Sequence, residues 1–158
     1  MKKIVSLMAL CAVLFGAVLL ATGCGSKPAK GSVWKVTKCE TKVDNFTNDE
    51  LKDMDKMYYC FHADGFVYKL SKAKKATGAV LDPTEIVVRS DGYLVKGKEL
   101  IWGGKKATIS DKAKDTLTFT YTNKVNVAGV AKDAVTTLVM KASTDYKADE
   151  IRAKVGNR

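Results

Sequence analysis

The sequence predicts a mainly β fold: a small antiparallel up-and-down β-barrel of about eight strands, with one short helix after the first strand and a C-terminal helix. Three observations carry this. Short segments alternate apolar and polar residues with the period of two that turns one strand face inward. Glycine turns, Asp64-Gly65, Asp91-Gly92 and Gly103-Gly104, separate successive segments. The 135 residues that follow Gly23 make one compact domain, with no second apolar span.

Taken in order, Val33 to Lys38 alternates and puts Trp34 and Val36 on one face. Thr47 and Glu50 then form a capping box, which predicts a helix over Thr47 to Asp55 with Leu51 and Met54 on one side. Met57 to His62 and Phe66 to Leu70 flank the first Asp-Gly turn, and Glu85 to Ser90 and Tyr93 to Lys96 flank the second. Leu100 to Trp102 and Ala107 to Ile109 flank Gly103-Gly104. Asp115 to Thr122 alternates most cleanly, with Leu117, Phe119 and Tyr121 opposite four threonines. Val135 to Ala142 supplies the last strand, and Lys147 to Val155, behind the cap candidates Ser143, Thr144 and Asp145, the last helix.

Ahead of this domain stand Met1, Lys2 and Lys3, an uncharged and mostly apolar run from Ile4 to Ala21, and the small residues Thr22 and Gly23. That is the pattern of an export signal. Cys24 follows at once, and Ala21-Thr22-Gly23-Cys24 resembles the lipobox of bacterial lipoproteins, with Ala21 where that family usually has leucine. The resemblance implies removal of residues 1–23 and an acylated, palmitate-bearing Cys24 as the new N-terminus, on a flexible tether over residues 24–31. Residues 32–158 are then the barrel domain. A protein anchored by two or more acyl chains stays firmly on its membrane. The absence of Asp after Cys24 resembles the signal for the outer membrane in a two-membrane organism.

Trp34 on the first strand and the run of hairpins over residues 31 to 142 look like the lipocalin-like domains of bacterial lipoproteins. The likeness is one of pattern, with Gly31-Ser32-Val33-Trp34 one residue longer than the lipocalin Gly-x-Trp. It implies Trp34 as a plug at the barrel bottom and a ligand site inside the barrel. Trp34, Phe61, Phe66, Tyr68, Tyr93, Trp102, Phe119 and Tyr121 are the candidates for ligand or core lining, since a filled barrel needs the same residues.

The residues offer little chemistry beyond binding. His62 is the sole histidine; it shares a strand face with Cys60 but abuts a turn, where it is expected to be exposed. Two thiols and one histidine fall short of a structural zinc site. Asp49, Asp53 and Asp55 alternate with lysines as a solvated face, and Gly97-Lys98 lacks the spacing of a phosphate-binding loop. The expectation is a non-enzyme with no cofactor and no metal. Cys39 and Cys60 leave two readings open: a disulfide closing a loop of about 20 residues, worth about 3 kcal/mol, or two free buried thiols.

After residue 23 the chain carries 25 basic against 17 acidic residues, about +8, densest over Lys69 to Lys75. No aromatics interleave with that cluster, which argues against nucleic acid as a partner. The expected function is therefore a membrane-anchored binding protein of the cell envelope, taking a small apolar or amphipathic ligand in or on the barrel. The alternative is a filled barrel whose surface engages an envelope or host macromolecule.

Overall fold

The computed structural model describes residues 28–78, 83–109 and 115–155. Residues 1–23 and Cys24, on which the signal peptide and lipidation are predicted, lie outside the described residues, as does the first half of the tether. Nine strands form one antiparallel sheet: β1 (Ser32–Val43), β2 (Phe46–Asp49), β3 (Met54–Phe61), β4 (Phe66–Ala73), β5 (Glu85–Lys96), β6 (Glu99–Trp102), β7 (Lys105–Thr108), β8 (Thr116–Val127) and β9 (Val130–Ala142). Among the described residues one short helix, α1 (Ala148–Ala153), follows. The strand order is β7-β6-β5-β4-β3-β1-β9-β8, with β2 paired to the far end of β1. The two ends of that order, β7 and β8, lie against each other. The result is the predicted up-and-down barrel, nearly closed.

Turn chemistry sets the registers. Gly103 and Gly104, at φ 58° and 72°, let Trp102 face Lys105 across a two-residue loop. Asp44, at φ 52°, similarly turns β1 into β2, so that Phe46 lands opposite Val43.

That second turn explains a correction. The predicted helix over Thr47 to Asp55 does not form; β2 and a turn over residues 50–53 stand in its place. Four cross-strand pairs with β1 capture Phe46 to Asp49, and the Asp49 carboxylate accepts from Leu51 N at 2.9 Å, holding the turn. A nine-residue helix is marginal by itself, and ladder pairing outweighs its capping box. Leu51 and Met54 still pack on the core, now from a turn and a strand.

Asp91-Gly92 is also not the predicted hairpin. It is an irregularity inside one continuous strand, β5, between the pairs Phe66–Gly92 and Tyr68–Arg89. Before it β5 pairs with β4; after it, Tyr93 to Lys96 pair with β6. A bulge of this kind bends a strand and lets it change partners.

Strand alternation divides the sheet into two faces. The inner face gathers Trp34, Val36, Cys39, Met57, Tyr59, Phe61, Leu117, Phe119, Leu138 and Met140 into the main core. The outer face of β1, β3 and β4 carries Val33, Tyr58, Cys60, Tyr68 and Leu70, which α1 covers with fully buried Ile151. Residues 57–61 are accordingly buried without a break.

Candidate functional site

The barrel interior is built around linked aromatic rings. Phe61 meets Tyr93 edge-on at 5.1 Å between centroids and Trp102 at 6.2 Å. Trp102 in turn meets Tyr59 at 4.8 Å and Phe119 at 5.6 Å, and Phe119 meets Tyr121 at 5.4 Å. Such edge-to-face pairs add about 0.5–1.5 kcal/mol each beyond burial. Lys105 Nζ sits 4.4 Å from the centre of the Tyr121 ring, joining β7 to β8 across the seam. The centre of the barrel is thus filled by its own side chains.

One side of this wall is open. A cleft of about 610 Å³ lies against β3, β4, β5 and β6, with Tyr59, Trp102 and Val88 as its apolar surface and Phe66, Lys69, Arg89, Ser90 and Asp91 around it. Cross-strand pairing explains the assembly: Tyr59 stands opposite Lys69, and Lys69 opposite Val88. Trp102 is anchored there by Nε1, which donates to Ser90 Oγ at 3.0 Å. The bend at Asp91-Gly92 brings residues 89–92 to the rim. The volume lies in the range of small-molecule sites.

Of the eight predicted lining residues, Trp34, Phe61 and Phe119 are buried in the core, and Tyr93, Trp102 and Tyr121 pack against it half-buried. Trp34 Nε1 donates to Ser32 Oγ at 2.8 Å. Two residues differ from expectation. Phe66 is 36% exposed, with the Arg89 guanidinium 4.8 Å from its ring centre. Tyr68 points to the outer cluster, because it and Cys60 are cross-strand partners on that face. Only Phe66 and Trp102 of the eight line the cleft. Tyr59, Lys69 and Val88 were missed; the register of β3, β4 and β5, which the sequence does not display, is what unites them.

The two cysteines are free and buried on opposite faces, Cys39 in the inner cluster and Cys60 in the outer, so the disulfide reading is set aside. Burial, reinforced at Cys39 by the Glu50 carboxylate, pushes each thiol up to about 12. Neither is a nucleophile at neutral pH.

His62 is buried rather than exposed. Its Nδ1 lies 3.2 Å from Asp64 N and 3.0 Å from Asp64 Oδ1, and its Nε2 lies 2.9 Å from Asp149 Oδ1. Tyr68 OH donates to Asp64 Oδ2 at 2.7 Å, and Arg152 Nε lies 3.2 Å from the same oxygen. Cys60 has a separate neighbour, Ala148 O at 3.9 Å. The partners of His62 join the β3–β4 turn to α1, so the cluster is a clamp, with no nucleophile beside the imidazole. A second clamp centres on Glu85, which meets Lys56 Nζ and Lys154 Nζ at 2.5 Å and Tyr146 OH at 3.0 Å. Tyr58 OH donates to Asp145 Oδ2 at 2.5 Å beside it.

Compared with protein-family models, curated proteins and solved structures, the chain matches none.

Proposed function

We propose that this protein is a non-enzymatic lipoprotein of the bacterial cell envelope, anchored through acylated Cys24, that holds a small apolar or amphipathic ligand on its lipocalin-like barrel. The observation that carries the ligand reading is the open cleft of about 610 Å³ on Tyr59, Val88 and Trp102. Val88 is 50% exposed, an apolar surface that a hydrocarbon tail would cover. Because the interior is filled, this reading takes the side cleft and not a central cavity as the ligand's site.

The chain's two tryptophans supply the test. Trp34 is buried away in the core, whereas Trp102 lines the cleft. Titrating the mature domain with single-chain amphipaths should shift its emission, and Trp102→Phe should abolish that shift. An unchanged spectrum throughout, with no ligand retained in native mass spectrometry, would sink the cleft as a binding site. The anchor has its own check: metabolic labelling with an alkyne fatty acid should mark the wild type and leave Cys24→Ser unlabelled.

The second reading, a surface that engages an envelope or host macromolecule, draws on the hairpin ends. Phe46 is 80% exposed at the β1–β2 turn, and Val127 and Val130 are exposed at the β8–β9 turn. These turns share one end of the sheet, where Lys132 pairs with Asp44.

A further inference from the structure

The cleft wall breaks the pattern of the barrel interior. Inward positions on β8 are Leu117, Phe119 and Tyr121, but those on β4 are Val67, Lys69 and Ser71. Lys69 is half-buried, with Nζ 6.0 Å from the centre of the Tyr59 ring, and it forms no ion pair among the described residues. Arg89 is exposed at the rim against Phe66; as the cross-strand partner of Tyr68 it leaves β5 on the side opposite Val88 and also lines the outer groove with Asp149 and Arg152. Lys69 is set apart by its place, an inward and half-buried position on the cleft wall.

Two carboxylates lie near. Asp91 shares the cleft lining but leans over Gly103, with Oδ2 2.8 Å from where a Cβ would stand there. Glu50 lies near the Cys39 thiol, which it helps to raise. The cleft thus presents the Lys69 ammonium, with the Arg89 guanidinium at its rim, beside an apolar surface. A partly desolvated ammonium gains most from an ionised acceptor, and a guanidinium adds a planar fork that fits carboxylate and phosphate oxygens.

We infer that the cleft selects single-chain amphipaths with an anionic head, carboxylate or phosphate monoester, and this rests on reading it as the ligand site. The head meets Lys69, with Arg89 at the rim, while the tail covers Val88, Tyr59 and Trp102. A neutral or cationic amphipath with the same tail finds the same apolar surface without the charge-assisted contact.

The test titrates the unlipidated mature domain with decanoate, decyl phosphate, decanol and decyltrimethylammonium, following Trp102 emission. Both anions should bind about tenfold tighter than decanol, with the cation weakest. Lys69→Met, which keeps the side-chain length, should narrow that gap to about threefold. Lys132→Met, on the distant hairpin, should leave the preference intact and controls for loss of net charge. Stronger binding of decyl phosphate would support a phosphate head, and stronger binding of decanoate a carboxylate. Equal affinities for all four, or a preference that survives both Lys69→Met and Arg89→Gln, would overturn anion selection and leave the cleft reading standing. Failure of all four to bind would overturn both.

Discussion

At the scale of the residue, His62 and the cysteines show how strongly the covering layer changes a side chain's character. Beside a turn, His62 reads as exposed; it is buried, and it meets Asp149, 87 residues away, which no local pattern announces. Cys39 and Cys60 sit about 20 residues apart, a reasonable loop, yet strand parity puts one inside the barrel and the other under α1. The consequence is chemical. With both thiols held near 12, the native domain should not react with a thiol reagent at mildly alkaline pH, whereas in denaturant both should react. Counting modified thiols by intact mass before and after unfolding checks this, and rapid labelling of either one in the folded domain would contradict its burial.

At the scale of the element, the strands were legible wherever alternation and a glycine turn coincided. The β6–β7 hairpin and the Leu117-Phe119-Tyr121 face stand as expected. The two errors share a cause: a local signal was outbid by pairing. Thr47 and Glu50 can cap a helix, and Asp91-Gly92 can make a hairpin, but β1 and β4 supply ladder partners that neither signal includes. The C-terminal helix was legible through Ile151, although its polar clamps were not. Those clamps make an acid-sensitive element. Hydrogen bonds from Lys154 and Lys56 outweigh partial burial and hold Glu85 near 2, below the 4.5 of an ordinary glutamate. At Asp64, partial burial pushes upward, but bonds from Tyr68, Phe66 N and His62 prevail and bring it to about 2. For both, the folded value lies below the unfolded one, so their contribution is complete above pH 4.5 and fades as pH falls towards 2. Thermal melts by circular dichroism should show this loss, and Glu85→Gln should be less stable at neutral pH with a shallower acid limb. An acid limb identical to wild type would remove Glu85 from the account.

At the scale of the whole molecule, the fold class was readable because an up-and-down barrel repeats one short-range motif. The seam, the filled interior and the side cleft were not, since each depends on how strands distant in sequence align. The ring cluster is where the fold concentrates its stability. Phe119, 1% exposed and in contact with Trp102 and Tyr121, should cost about 3–5 kcal/mol when replaced by alanine, a large share of a typical total of about 5–15 kcal/mol. Phe46→Ala, at an 80% exposed position, should change stability by about 0.5 kcal/mol or less. Urea denaturation of the two variants decides the point, and similar losses in both would argue against a core centred on those rings.

The pairing of β1 with β9 has a consequence in time. Nine residue pairs join the first strand to the last, and Thr41 bonds to Thr136 across 95 residues of chain. A chain emerging from its N-terminus therefore holds β1 ready with no β9 edge to receive it. Contacts of such long sequence separation also slow folding, towards roughly milliseconds to seconds for all-β domains. The barrel completes only after nearly all of the chain has been delivered. On the proposed export route, late closure keeps the chain threadable until the crossing is over.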